Sequence, residues 1–188
     1  MMEDYNRRKM ESNRNLVAAL SRGGYEISYD ELCAQNPGGN INRAHFAAML
    51  TEKGYTSSIQ NAFDTLLADD GDYYRPPERF AVMDAIAYLK SLGAVTVLAH
   101  PFLDLTEEEL EIFLPKAKEA GLDGMETIYS TFSDIERAAA TRIAEKFGLV
   151  FSGGSDFHGA NKPDIRIGRG KGDLFVPASF LEKIKKKK

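Results

Sequence analysis

Apolar positions along the chain follow two successive patterns, and the change falls near Pro76-Pro77. Before it, apolar residues recur at helical spacing in short runs separated by turn residues. Residues 4–20 predict a helix ended by Gly23-Gly24. Ser28-Tyr29-Asp30-Glu31 has the form of a capping box and opens a short helix through Ala34. Gln35-Asn36-Pro37-Gly38-Gly39 is a loop by composition. Asn40 caps a helix through Lys53, and Ser57 caps another through Ala68, before the turn Asp69-Asp70-Gly71-Asp72. These elements predict a small helical domain over residues 1–75.

After the prolines, helical periods alternate with short β-rich runs. Residues 78–91 predict a helix and Ala94–Ala99 a strand buried on both faces. Thr106 and Glu109 form a capping box for a helix that Pro115 is expected to interrupt before Gly121. Strands are expected at 124–128 and 149–152, with a helix capped by Ser133 between them and a stop at Gly148. Asp173–Val176 offers a fourth strand, followed by a helix from Ala178. Strands alternating with helices predict an α/β domain with a parallel sheet over residues 76–188. In such sheets the chemistry gathers beyond the C-terminal strand ends. His100-Pro101, Tyr129-Ser130 and Ser155-Asp156-Phe157-His158 all fall there.

Composition adds exclusions. Of 188 residues, 43% are hydrophobic and 28% charged, as in a folded soluble domain. No apolar run reaches the roughly 18 residues of a membrane span, and the charged start has no secretory apolar core. The single cysteine, Cys33, excludes a disulfide framework and a cysteine zinc cluster. A cytoplasmic protein is expected. The net charge is −4 although five lysines crowd the last six residues, so the body is more acidic still. That argues against broad electrostatic binding to duplex nucleic acid.

The chain has three histidines, His45, His100 and His158. Asp156-x-His158, flanked by Gly153-Gly154 and Gly159, can turn a carboxylate and an imidazole toward one cation, with His100 as a third donor from a neighbouring strand end. Each also has an ordinary reading as a hydrogen-bonded residue at a strand end. Glu126 is either an acid that supports a histidine or a buried polar residue with a local partner. Ser130 and Ser155 lack the His–Asp pair of a nucleophile. Gly168-Arg169-Gly170-Lys171-Gly172 lacks the spacing of a phosphate-binding Walker loop and reads as a turn. Tyr73-Tyr74 reads as packing.

Val97-Leu98-Ala99-His100-Pro101, Gly121-Leu122-Asp123-Gly124-Met125-Glu126 and Ser152-Gly153-Gly154-Ser155-Asp156-Phe157-His158-Gly159, in this order, resemble the PHP (polymerase and histidinol phosphatase) superfamily. The resemblance is to its small metal-dependent phosphoesterases of nucleotides and oligonucleotide ends. Arg43-Ala44-His45, Lys53-Gly54-Tyr55 and Ala62-Phe63 resemble the helical insert of that branch, and Lys162-Pro163 and Ile167-Gly168 extend the match, which spans about residues 40–182. The resemblance implies a distorted, TIM-like βα barrel carrying divalent metals (manganese, zinc, iron or magnesium) at its C-terminal face. It implies metal ligation by His100, Asp156 and His158. Arg43 and His45 are implied to grip the phosphate of a phosphorylated small molecule, nucleotide or short oligonucleotide. Arginine suits that role because its planar fork gives phosphate two parallel donors.

The family's opening His-x-His is absent, and residues 76–188 are too few for a closed barrel, which usually takes roughly 200 residues. The expectation is therefore an incomplete barrel with its helical insert at the N-terminal end, from a shortened gene or from a start placed too late at Met1-Met2. The competing expectation is a non-catalytic remnant that binds metal weakly or needs a separate N-terminal partner. Either way, these residues alone are expected to bind one tight metal at most and to hydrolyse phosphoesters negligibly; with an open edge at Ala94–Ala99 they are expected to self-associate, to be marginally folded or to require a separately encoded N-terminal half.

Overall fold

A computed structural model describes residues 2–159 and 162–188; Met1, on which part of the reading of the chain start falls, and Ala160 and Asn161 lie outside the described residues. The chain divides into two compact units, Met1–Arg79 and Phe80–Lys188.

The first unit is helical. Helix α1 (Met2–Arg22) is mostly charged and buries one stripe, Asn13, Leu16 and Leu20. Asn13 is satisfied there because its amide donates to the Ile41 carbonyl at 3.1 Å. Helix α2 (Tyr29–Gln35) is capped by Ser28, as its sequence predicts. Helices α3 (Arg43–Glu52) and α4 (Ile59–Asp64) start later than expected, on caps Asn42 and Ser58 rather than Asn40 and Ser57. Asn42 wins because its side chain accepts the backbone N–H groups of Ala44 and His45. Helix α4 stops well before Ala68, where the Thr65 hydroxyl donates to the Asn61 carbonyl and the Thr65 backbone leaves the helical region. Phe46, Leu20, Leu32, Met49, Leu50 and Leu67 close this unit's core without solvent exposure to speak of.

The second unit is a mixed α/β structure: helix α5 (Val82–Ser91), strand β1 (Val97–Leu98), helix α6 (Glu107–Ala120), strand β2 (Gly124–Tyr129), helix α7 (Asp134–Lys146), strand β3 (Val150–Gly154) and helix α8 (Ala178–Lys185). The three strands are parallel, in the order β1-β2-β3, with Gly124 opposite both Val97 and Val150. Leu110, Leu114 and Ala117 of α6, Met125 of β2 and Ile143 of α7 form the centre of the core.

Several boundaries correct the sequence reading. Helix α5 begins at Val82, not at 78: residues 76–81 have no regular structure, and Glu78 pairs with Arg8 of α1 instead of opening the helix. Strand β1 keeps two residues and is only half-buried, so the expectation of a strand covered on both faces fails. Thr96 N–H is taken by the Asp123 carboxylate, and His100 turns left-handed just beyond the strand. Helix α6 runs unbroken through Pro115. That residue is exposed, so water can satisfy the carbonyl its missing N–H leaves free, while Leu110, Leu114 and Ala117 pin the inner face. Asp173–Val176 is not a strand: the Leu174 N–H closes back onto the Arg169 carbonyl instead of joining β3.

The β1 edge borders an apolar groove of about 430 Å³ lined by Val82, Leu89, Val95, Val97 and Phe113 among others. No helix among the described residues is long and apolar enough to cross a membrane. The Lys90 ammonium reaches both Asp123 carboxylate oxygens at 2.7 and 2.8 Å and so ties α5 to the start of β2.

The capping boxes of α6 and α7 give a pH prediction. Glu109 and Glu136 each accept the backbone N–H and the hydroxyl of their caps, Thr106 and Ser133. The backbone bond, then the hydroxyl, holds each carboxyl below its usual 4.5. A carboxyl with a lowered folded pKa stabilises above its unfolded value, and that contribution disappears as pH falls through the folded one. Replacing both with glutamine is expected to flatten the acid side of the Tm–pH curve below about pH 4.5 and to leave its neutral slope unchanged, as read by thermal melts.

Candidate functional site

The strands of the second unit deliver polar side chains to one end of the sheet. His100 follows β1, Glu126 and Tyr129 lie on β2, and Asp156 and His158 follow β3. His100 and Asp156 are the two non-glycine residues with positive φ among those described, +30° and +54°. Such backbone persists where surrounding contacts fix it, and it is concentrated at functional sites.

Glu126 fixes His100. Its Oε2 accepts the His100 backbone N–H at 2.7 Å, so the acid holds the main chain of the histidine and not its ring. Burial pushes the Glu126 carboxyl up, against the pull of that N–H. The His100 ring leans on Tyr129, centroids 5.4 Å apart, and its Nδ1 is buried without a hydrogen-bond partner among the described residues. An unpaired buried nitrogen of this kind is costly in a finished site.

Asp156 is the hub. The Tyr129 hydroxyl donates to its Oδ2 at 2.9 Å and the Lys162 ammonium to the same oxygen at 2.6 Å. Burial opposes charge on Asp156, but the bonds from Lys162 and Tyr129 outweigh it and hold the carboxyl below its usual range. Burial, then the bond to Asp156, pushes the Tyr129 hydroxyl up to about 12. His158 Nδ1 lies 2.7 Å from the Asp156 carbonyl. A carbonyl can only accept, so Nδ1 carries the proton and Nε2 keeps the lone pair that a metal uses.

These donors fit a divalent cation in chemistry: two imidazoles, one of them with an orphaned nitrogen, and carboxylates beside them. They do not fit it in arrangement. Among the described residues no group of three or more His, Cys, Asp or Glu side chains is gathered closely enough to hold a metal ion.

Arg43 and His45 sit on α3 in the other unit. The Arg43 guanidinium lies over the rings of Tyr74 and Phe63, at 4.7 and 5.1 Å, and donates to Asp69 at 2.6 Å and to the Leu67 carbonyl at 3.2 Å. His45 Nδ1 accepts the Asn42 N–H at 3.1 Å, which completes the α3 capping box and leaves the proton on Nε2. His45 is therefore tied into the start of its own helix, and Arg43 to Phe63, Leu67, Asp69 and Tyr74 of the same unit.

Sequence reasoning placed Tyr129 at the loaded strand ends without giving it a role, and passed over Lys162. The six-residue step from Asp156 to Lys162 matches no motif, and only the folded chain sets the Lys162 ammonium against Asp156. Tyr129 at a strand end was the available signal. Ser130 and Ser155 join the turn beyond β3 to β2: Ser130 Oγ donates to the Ser155 carbonyl at 2.7 Å, and Ser155 Oγ accepts the Gly168 N–H at 3.2 Å.

A parallel α/β sheet with imidazoles and carboxylates beyond its C-terminal strand ends has its polar cluster where open α/β folds carry their sites. No family model matches the chain. It is 34% identical over 142 residues to the 5'-3' exoribonuclease Rnm of Escherichia coli (strain K12), covering 75% of this chain and 47% of that protein. It is 26% identical over 163 residues to the 3',5'-nucleoside bisphosphate phosphatase of Chromobacterium violaceum, covering 85% of this chain and 57% of that protein. A crystal structure from Bifidobacterium adolescentis, described as that of a candidate metal-dependent phosphoesterase, superposes with a TM-score of 0.82 at 26% identity, over 100% of this chain and 65% of that one. The chain spans about half the length of the curated relatives it matches. By these similarities and its Ala-His-Pro and Ser-Asp-Phe-His strings, the chain is a relative of the PHP-type metal-dependent phosphoesterases.

Proposed function

We propose that the chain is part of a metal-dependent phosphoesterase acting on nucleotides or oligonucleotide ends. The observation that carries this reading is the convergence of His100, Glu126, Tyr129, Asp156 and His158 at one end of the sheet, with strained backbone at two of them. The activities of two relatives, an exoribonuclease and a nucleoside bisphosphate phosphatase, support the substrate class. In this reading the second unit is the C-terminal part of a βα barrel, and the first is a helical insert. His100, Asp156 and His158 are the side chains offered to a divalent metal. Arg43 and His45 Nε2–H offer positive charge and donors to phosphate oxygens.

The test is phosphate release and ligand binding by the full chain, with and without Mn²⁺, using a nucleoside 3',5'-bisphosphate and a 5'-phosphorylated short oligoribonucleotide. Binding is expected to require the phosphate and to weaken about tenfold or more in Arg43→Ala, the scale of a lost hydrogen bond to a charged group. Any phosphate release, expected to be slight from this chain alone, is expected to require Mn²⁺ and to vanish in Asp156→Ala. Equal binding of the unphosphorylated nucleoside, or release that survives Asp156→Ala, overturns the reading. The absence of a gathered three-donor group favours a second reading, a chain that binds phosphorylated ends without turning them over. Phosphate-dependent binding with no release in any metal supports it.

A further inference from the structure

The first unit, Met1–Arg79, carries twelve Asp and Glu against nine Lys and Arg, so its charge balance is acidic. One cavity in it, of about 220 Å³, departs from that balance: Lys9 of α1, Arg43 of α3 and Arg79 line it, and no carboxylate does. Its walls are joined. Ser12 Oγ donates to the Arg75 carbonyl at 2.7 Å and Asn13 Nδ2 to the Ile41 carbonyl at 3.1 Å, which ties α1 to both neighbouring segments. The three cations differ in how far they are neutralised. Arg43 is matched by Asp69, but both of its hydrogen bonds leave from Nη1, so Nη2 and Nε have no partner among the described residues. The Lys9 and Arg79 side chains have neither a hydrogen bond nor an ion pair among the described residues. Two unmatched positive charges on one concave surface repel each other, and an anion between them removes that cost.

Size and charge choose the anion. The cavity is smaller than the roughly 300–1,000 Å³ of pockets that enclose a whole small ligand, so it suits one anionic group of a larger molecule. Lys9 and Arg79 leave one unmatched positive charge each. A phosphate monoester carries about −1.5 to −2 at neutral pH, whereas an internal phosphodiester carries about −1. We infer that this cavity is a subsite for a terminal phosphate monoester, with Lys9 and Arg79 supplying charge and Arg43 supplying donors. It lies within the first unit and needs no metal. The inference rests on the reading of the chain as one that binds phosphorylated ends, and it narrows that reading to the terminal group and adds two residues to its recognition.

Titration calorimetry on the full chain, in chelator and at fixed salt, compares a short oligoribonucleotide bearing a 5'-phosphate with the same one ending in a 5'-hydroxyl. The parent chain is expected to prefer the phosphorylated form. Lys9→Gln and Arg79→Gln are each expected to weaken binding of that form about tenfold and to leave the 5'-hydroxyl form unchanged. Lys116→Gln, which removes one exposed charge from α6, is expected to change neither. The inference falls if either folded variant keeps the full preference for the phosphate, or weakens both forms equally. If it falls while Arg43→Ala still abolishes the preference, the reading of Arg43 survives without this cavity. A parent chain with no preference removes the reading and the inference together. If a variant does not fold, as read by circular dichroism, acetylation of the parent chain decides the matter by mass spectrometry. The phosphorylated oligoribonucleotide is expected to slow modification of Lys9 and not of Lys116, and an unchanged Lys9 rate overturns the inference.

Discussion

Gly124→Ala is expected to open the sheet that carries the site. A Cβ at this position meets the Val150 carbonyl oxygen at 2.7 Å and Val150 Cγ2 at 2.8 Å, with Val97 Cγ2 at 3.4 Å on the other side. Gly124 pairs with Val97 of β1 and with Val150 of β3, so the added methyl pushes against β3 while Val97 on the β1 side sits at ordinary contact distance. The side-chain contact can relax by a rotamer change, but the backbone contact cannot without shifting β3, whose Val150 N–H is bonded to the Asp123 carbonyl at 3.0 Å. Overpacking of this kind costs about 1–3 kcal/mol, and the backbone contact argues for the upper end. The same strand pair positions Glu126 and Tyr129 against the residues after β3, so metal or phosphate binding is expected to fall with stability. Urea unfolding checks it. Adding Val150→Ala is expected to restore only part of the loss, because it removes the methyl contact and leaves the carbonyl; full restoration means the clash is with the side chain alone.

Phe46→Ala is expected to cost about 3–5 kcal/mol, the range for truncating a buried aromatic side chain. Phe46 has 0% exposure on α3 and lies in the cluster with Leu20, Leu32, Leu50 and Leu67. Those residues come from all of α1 to α3 and the turn after α4, so no single one can move in to fill the space. A whole domain is stable by only about 5–15 kcal/mol, and the loss is therefore a large share for a unit of this size. Arg43 and His45 stand on the same helix, one turn or less from Phe46, so binding of a phosphorylated ligand is expected to fall in parallel. Phe46→Leu, which keeps most of the volume, is expected to lose much less in the same urea series. Equal losses in the two variants exclude a cavity as the cause.

Local chemistry made several elements legible in the sequence. Ser28, Thr106 and Ser133 cap the helices that follow them, because a side-chain oxygen and a nearby backbone N–H need no distant partner to find each other. The alternation of β-rich runs with helical spacing gave the parallel sheet, since a strand and its parallel neighbour require a crossover between them. The position of His100, Asp156 and His158 beyond strand ends followed from that topology and from residue spacing alone.

Elements that depend on distant partners were not legible in this way. Asp173–Val176 has the composition of a strand, but its backbone is engaged by its own turn. Residues 94–99 have it too, and only two pair, because the Asp123 carboxylate takes the Thr96 N–H from 27 residues away. Pro115 has the local chemistry of a break, and the buried face of α6 overrides it. The same division runs through the site. Sequence supplied the donors by type, whereas tertiary structure set their protonation and their partners: Glu126 on the His100 main chain, Tyr129 and Lys162 on one oxygen of Asp156. A residue's chemistry travels with its side chain, but which lone pair is free is decided by what the folded chain brings against it.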